Sequence, residues 1–508
     1  MRATPSTPPL SEAEQIVQLT KQLQWAEMKI RVLEERLRLQ RIKKYGPGSE
    51  KLNDTQLELL ELEPGVSTVE VQAESEREPL PAPTRPKKSG HHPGRQELPA
   101  ELPRVEKVMA CTPEQCTCPA CGKPTAVIGY DQSEQLDVEP ARYFVVVAKR
   151  EKRACPSCAE GGVAAAPVPA RIIEKSLVSD RVVIDTVVAK YSDHLPLYRQ
   201  SVILARETGL AISRATLDGW VMRVGELLVP LSEMMRRELL NGSYIQADET
   251  PVDVQMHDGR GQNHQAYLWQ YSTPAGPVVF DFQLGRGRDG PKHFLGQFEG
   301  RLQTDGYGAY NRVGGPNIVY AACWTHARRG FVDAAKLHPG DQTAARIGAR
   351  IDELFAIDAT ARDQNLHVAA RHALRLERAR PLLGVIQGEV EAARVAVLPS
   401  SALGKAANYT LALWPRLTRF LEYPELELST NLAENSMRPV ALGRKNWIHI
   451  GSPKAGPKVA AILSVVESCR RLQIPIRAYL ATVLPGLADI RLQRLPELTP
   501  AAWAAADR

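Results

Sequence analysis

SYIQADETPV, residues 243–252, is the stretch whose reading decides the fold. Its apolar and polar residues alternate with the period of two that marks a strand. Tyr244, Gln246 and Asp248 therefore share one face, and Ile245, Ala247 and Glu249 share the other. The two neighbouring carboxylates cannot both enter one site. Asp248 is the better candidate, on the polar face at a strand end where Pro251 is expected to break the chain. Downstream, AYLWQYS, PVVFDFQL, GRLQTDGYG and IVYAAC are short, β-branched or aromatic, and set between Gly/Pro turns. THARRGFVDAAKL then reads as a helix, and residues 341–423 return to helical patterns rich in Ala, Arg and Leu. The sum is an α/β core carrying a helical insertion.

In RLQTDGYGAY the alternation puts Arg301, Gln303 and Asp305 on one face, and Gly306 and Gly308 follow Asp305. Glycines there let backbone or ligand come close. Taken alone, either aspartate reads as an ordinary strand or turn residue; the pair is informative only if the strands are neighbours. The third element is LSTNLAENSMRPVALGRKNW. Ser429 or Thr430 can cap a helix on which Asn431, Glu434 and Arg438 fall on one face. Glu434 can then complete a set of three carboxylates, with Arg438, Arg444 and Lys445 facing a phosphate backbone. The alternative is a solvated helix start whose acidic group favours the N-terminus. Three carboxylates suit Mg²⁺, which prefers hard oxygen ligands and takes phosphate oxygens as well. Two such ions are the apparatus of phosphoryl transfer.

The surrounding chain sets limits. Its 508 residues, 44% of them hydrophobic, allow several folded domains, and a net charge of +6 permits nucleic-acid binding without requiring it. The start, MRATPSTPPLSEAEQ, lacks the features of a secretory signal, and no apolar run approaches the roughly 18–20 residues of a membrane span, so a soluble cytoplasmic protein is expected. Residues 16–40 carry a heptad seam of Ile16, Leu19, Leu23, Ala26, Ile30, Leu33 and Leu37, closed by Tyr45-Gly46-Pro47-Gly48. It reads as a self-associating coiled coil, or as one amphipathic helix packed on the body. Residues 63–103, rich in Pro, Glu, Lys and Gly, have linker composition. From Asp180 to Leu240 the pattern is helix, turn at Gly209 and second helix from about Ser213, with Arg214, Thr216 and Arg223 on the latter. A DNA-binding helix-turn-helix and a plain helical hairpin look alike at this level.

Six of the eight cysteines lie between Cys111 and Cys158. Cys118-Pro-Ala-Cys121 and Cys155-Pro-Ser-Cys158 are paired C-x-x-C knuckles of the kind that hold structural Zn²⁺, with reduced, unliganded thiols as the alternative. The strand-like stretch between them, EQLDVEPARYFVVVAKREKRA, is able to bring the knuckles together. Cys111 and Cys116 can replace a ligand or be spare.

ADETPV, TDGYGAYN, CWTHARR, NLAENSMRP and RKNW stand in the order found in transposases of the insertion sequence 66 family, which the chain resembles. GRQELPAELPR, KYSDHLPLYRQ and KKYGPGSEKL extend the resemblance over most of the chain. It implies a ribonuclease-H-like catalytic core whose Asp-Asp-Glu triad is Asp248, Asp305 and Glu434, holding two Mg²⁺ or Mn²⁺ ions. It also implies active-region or DNA contacts from His326, Arg328 and Arg329, and a zinc-finger-like region in which Cys118, Cys121, Cys155 and Cys158 are the ligands. DNA partners at element ends and target, a homo-oligomer paired by the coiled coil, small accessory proteins and a nucleoid-associated place follow from the same likeness. One departure stands out: the family tends to carry Asp-Asn-Asn where this chain has Ser429-Thr430-Asn431.

The expected organisation is a multidomain α/β chain. It comprises a coiled-coil or helical segment at 11–63, a flexible linker at 64–104, a zinc-binding domain at 105–165 and a helix-turn-helix-like domain at 175–240. The core follows at 241–340 and 425–455, interrupted by a helical insertion at 341–424 and completed by a C-terminal helical region at 456–508. The expected activity is cutting of element ends and joining of the 3′-OH to target DNA. A catalytically inactive DNA-binding regulator and a metal-dependent nuclease without strand transfer are the alternatives.

Overall fold

The computed structural model describes residues 12–45, 123–124, 143–154, 163–256, 259, 261–274 and 276–506. The chain divides into one unit of residues 1–83 with 150–508 and a second of residues 84–149. Cys118, Cys121, Cys155 and Cys158 lie outside the described residues, as does most of the expected linker.

The heptad region forms a single helix, α1 (Glu12–Tyr45). Ile16, Leu19, Leu23, Ile30, Leu33 and Leu37 are all exposed along it, whereas Val32 and Glu35 are buried. The Glu35 carboxylate accepts from the Ala402 amide at 2.9 Å and meets His338 Nε2 at 3.1 Å. One face of α1 thus packs on the body while the apolar seam stays open. Within the described part of the stretch ending at Ala154, only β1 (Lys152–Ala154) is strand; it pairs antiparallel with β2 (Val163–Ala165).

Next come α2 (Asp180–Tyr191), α3 (Leu197–Thr208) and α4 (Arg214–Leu240). Gly209 ends α3 at φ +71°, a left-handed conformation that glycine adopts without a Cβ clash. Ser213 Oγ accepts the Thr216 amide at 3.1 Å and so caps α4. One face of α4 is core, with Leu217, Val221, Val224, Leu228 and Leu231 buried, and Arg214 stands on its exposed first turn.

The sheet is built from β3 (Tyr244–Val254), β4 (His264–Ser272), β5 (Val278–Gln283), β6 (Arg301–Thr304), β7 (Val319–Ala322) and the short β8 (His449–Ile450). Helix α5 (Asp289–Leu295) links β5 to β6. The order is β5-β4-β3-β6-β7; β3, β4 and β5 are antiparallel, whereas β6 and β7 run parallel to β3. β6 pairs β3 only over Tyr244–Gln246, and β8 joins β3 only at Asp253 and Val254. Between those contacts β3 has no strand on that side. The expected break at Pro251 does not occur, because Pro251 falls in this gap, an edge-like stretch that tolerates a residue without an N–H. Asp248 lies in the gap too, within the strand rather than at its end.

After β7 the chain forms α6 (Trp324–Leu337), then α7 (Gln342–Asp363), α8 (Val368–Leu374), α9 (Arg380–Ala396), α10 (Ala402–Ala412) and α11 (Trp414–Leu417). These helices share a second core, in which Ile347, Ile351, Leu383 and Ile386 pack with Trp324 and Phe331 of α6. The chain then re-enters the sheet region through α12 (Asn431–Trp447), followed by α13 (Gly456–Arg471), α14 (Ile476–Val483) and α15 (Pro500–Ala506). Along β5, Ser468 Oγ accepts the Val278 amide at 2.9 Å and Ser464 Oγ accepts the Phe280 amide at 2.8 Å. Among the described residues, no helix is long and apolar enough to cross a membrane.

Candidate active site

Tyr244, Gln246 and Gln303 occupy the polar face of β3 and β6, and all three are buried. Gln246 Nε2 donates to the Tyr244 hydroxyl (2.8 Å) and to the Ser429 carbonyl (3.0 Å). Gln303 Nε2 donates to the Glu427 carbonyl at 2.7 Å and to the Ala322 carbonyl at 3.2 Å, while its Oε1 accepts from Tyr244. Buried amides are costly unless hydrogen-bonded, so this network fixes the backbone of 427–429 on the sheet. That backbone leads directly into α12. The expected capping of α12 by Ser429 or Thr430 is replaced by another tie: Thr430 stands at the N-cap without a side-chain cap bond, and its amide donates to Cys323 Sγ at 3.3 Å.

Three carboxylates reach this region from separate elements. Asp248 comes from the gap in β3, Asp305 from the residue after β6, and Glu434 from the first turn of α12. The Asp248 carboxyl is pushed up to about 7, first by burial and then by the charges of Glu249, Glu434 and Asp305, against the Glu249 amide that donates to it. Asp305 Oδ1 accepts the Tyr307 amide at 2.7 Å, and the Tyr409 hydroxyl donates to the Asp305 carbonyl. Glu434 Oε2 lies 3.4 Å from Arg329 Nη2, and Glu434 Oε1 is buried without a hydrogen-bond partner. Crowded carboxylates and an orphaned carboxylate oxygen suit a hard cation such as Mg²⁺ in donor chemistry. They are not drawn into a closed cage: among the described residues, no three His, Cys, Asp or Glu side chains are grouped to hold one ion.

Glu249, placed on the opposite face by alternation, has a role that sequence reading missed. Its side chain is only 3% exposed, with Arg286 Nε and Nη2 at 3.0 and 2.7 Å from Oε1 and the Tyr310 hydroxyl donating to Oε2 at 2.8 Å. Arg286 also lies 4.1 Å over the Tyr307 ring, and the Tyr307 hydroxyl donates to the Arg286 carbonyl. Glu249 thereby ties β3 to the loop that carries Asp305. Burial raises its carboxyl, and Arg286 and Tyr310 oppose that. Glu249→Ala is expected to lower stability by about 2 kcal/mol, since it strands the buried Tyr310 hydroxyl, and Glu249→Gln by less than half as much. Urea unfolding checks this, and equal losses for the two variants would refute the bonding argument.

Of the remaining predicted residues, Arg329 and His326 stay beside Glu434 and the others are drawn elsewhere. His326 Nδ1 faces Glu434 Oε1 at 3.7 Å, and a hydrogen bond with Cys323 raises the imidazole above its ordinary value. Arg328 turns away and pairs with Asp352 at 2.5 and 2.9 Å, holding α6 to α7. Arg444 Nη1 donates to Thr250 Oγ1 at 2.9 Å, so it braces β3. Arg438 and Lys445 are exposed on α12.

The family model described as Transposase IS66 family matches residues 175–458, a span holding all three carboxylates and the network behind them. The chain belongs to this family. Two further IS66-type regions match: the one described as Transposase C of IS166 homeodomain over residues 32–106, and the zinc-finger binding domain of transposase IS66 over residues 115–159. Among curated relatives, the uncharacterized protein y4jD of Sinorhizobium fredii is 32% identical, over 80% of this chain and 82% of its own length. The uncharacterized protein y4qI of the same organism is 31% identical, over 88% and 84%. In this IS66 chain the zinc-finger match spans both C-x-x-C pairs, and the transposase-family match ends just inside α13.

Proposed function

We propose that this IS66 chain is an active DNA transposase that cuts the ends of its element and joins them to target DNA. The observation that carries the reading is the convergence of Asp248, Asp305 and Glu434, from three elements locked together by Gln246 and Gln303. The mixed sheet, with Asp248 on its central strand and Glu434 on a helix returning after an insertion, supports a ribonuclease-H-like core. In the first step a water oxygen bonds to phosphorus at the element end, the P–O3′ bond breaks, and the 3′ oxygen leaves as a hydroxyl. In the second, that 3′-OH oxygen bonds to a target phosphorus and displaces another 3′ oxygen, so bonds balance without any external energy source. Asp248, Asp305 and Glu434 would hold Mg²⁺ or Mn²⁺, which when bound lowers the charge barrier at the attacking and leaving oxygens. Arg329 pairs with the Glu434 side chain from α6 while His326 faces it without a hydrogen bond, and Arg438 and Lys445 offer their charges to the DNA backbone.

The exposed seam of α1 supports pairing of subunits, which two-ended transposition needs, and places no demand on the face docked through Glu35. We assign structural zinc to Cys118, Cys121, Cys155 and Cys158, since four thiolates leave no open position. Cys118→Ser/Cys155→Ser is expected to lose its zinc by elemental analysis; unchanged content would remove these residues from the ligand set.

The decisive assay mixes full-length protein, labelled element-end DNA, a target plasmid and Mg²⁺ or Mn²⁺. Joined products are expected. Cleavage without joining would make the protein a nuclease, and specific binding with neither would make it a regulator.

A further inference from the structure

Beyond the carboxylates, the loop after Asp305 and the helical insertion border an open cleft of about 610 Å³. Its polar lining comes from Asn311, Arg312 and Arg416, with Gly314 and Gly315 as floor and Tyr320 as an aromatic wall. Arg416, on α11, is half-buried and lies 5.1 Å over the Tyr320 ring, and its Nη2 donates to Asn311 Oδ1 at 2.9 Å. The Tyr320 hydroxyl is occupied elsewhere, by the Val313 amide and carbonyl. Glu299, against which Gly315 packs, accepts from Asn317 Nδ2. Among the described residues neither Arg312 nor Arg416 has a carboxylate partner.

The loop is shaped at some cost. Arg312 holds φ +57°, a conformation uncommon for any residue but glycine, and a Cβ on Gly314 (φ +81°) would come within 2.7 Å of the Phe298 carbonyl. A half-buried guanidinium ordinarily finds a carboxylate, because a desolvated charge left alone is unfavourable. Here it is stacked on Tyr320 and held by Asn311, and it lines the cleft together with the exposed Arg312. A planar fork held on an aromatic face matches the oxygens of a phosphate better than a point charge would.

We propose that this cleft binds a phosphodiester group of the DNA backbone, away from the reacting phosphate; the inference rests on the transposase reading above. Asn311 follows Asp305 by six positions, a span of at most about 22 Å, or roughly six base pairs of duplex. The cleft would hold the strand flanking the cut.

Backbone contacts are independent of base sequence, so the test needs no element end. Full-length protein is titrated with a linear duplex of about 40 base pairs across a range of NaCl. Arg416→Gln and Arg312→Gln are each expected to reduce the slope of log K against log[salt] by about 1, with additive loss in the double variant. Arg416→Lys, which keeps the charge, should retain most of the slope, as should the control Arg494→Gln on an exposed pair with Glu497. Equal thermal melting across the set separates lost contact from lost fold. Unchanged slopes in both glutamine variants, with cutting and joining intact in the wild type, would overturn this site alone. A wild type that binds no DNA would overturn it together with the transposase reading. Deoxyadenosine monophosphate is titrated in parallel: saturable binding lost in Arg416→Gln without any change in the DNA slope would make the site a mononucleotide pocket and refute the DNA assignment.

Discussion

Glu434→Gln is expected to cut strand joining by about 10²- to 10³-fold or more while leaving folding and DNA binding intact. Glutamine keeps the size and one hydrogen-bonding oxygen of glutamate and removes only the charge. The fold loses little by this, because the partners of Glu434 are a half-exposed Arg329 and a histidine too distant for a direct hydrogen bond. The chemistry loses a hard anionic donor that the two aspartates cannot replace, since they reach the region from β3 and from the turn after β6. Joining is measured with end DNA and target plasmid, and binding with the end DNA alone. Asp305→Asn should behave alike. Undiminished joining in Glu434→Gln would remove α12 from the catalytic assignment.

Asp248→Asn should combine lost joining with a gain in stability. The folded Asp248 carboxyl sits near 7 against an ordinary value of 3.8, so the folded chain holds this proton more tightly than the unfolded chain. The stability from that proton is fully present below the unfolded value and is lost as the pH rises toward 7. Above 7 the folded state carries the whole burden of a half-buried, crowded charge. At about 1.4 kcal/mol per unit, asparagine relieves at most roughly 4 kcal/mol at pH 8, and on the order of 2 after relaxation. Melting without added Mg²⁺ should show the variant more stable at pH 8 and equal to the wild type near pH 3.5. Adding Mg²⁺ should raise the wild type toward or past the variant, because a ligand that binds the folded state stabilises it. A variant that melts lower at pH 8 would contradict the crowding.

The strand alternation that selected Asp248, Gln246 and Gln303 is local, and it was legible because the sidedness of a strand depends only on its own residues. The continuation of β3 through Pro251 was not, since it depends on where β6 stops and β8 begins, a matter of partners far along the chain. The same distance hid the fates of several polar residues. Arg328 is taken by Asp352 and Arg444 by Thr250, while Thr430 gives its amide to Cys323 instead of capping. Glu249 was set aside for pointing away from Asp248, and nothing near it in sequence announces Arg286 or Tyr310 as partners. A buried glutamate in the middle of a strand was the one available hint, as such a group must find counter-groups somewhere.

The hydrogen bonds from Ser464 and Ser468 to β5 carry a consequence for how much of the chain makes a self-sufficient protein. The family match ends at residue 458, so a chain cut there keeps every carboxylate and the whole sheet. It would lose the two serines that occupy Val278 and Phe280. β5 would then present a row of unpaired amides and carbonyls, the template on which strands of other copies add. The helix that runs on past the family match thus covers the outer edge of the sheet as well as filling its core, and a chain ended at 458 is expected to aggregate where the full chain does not.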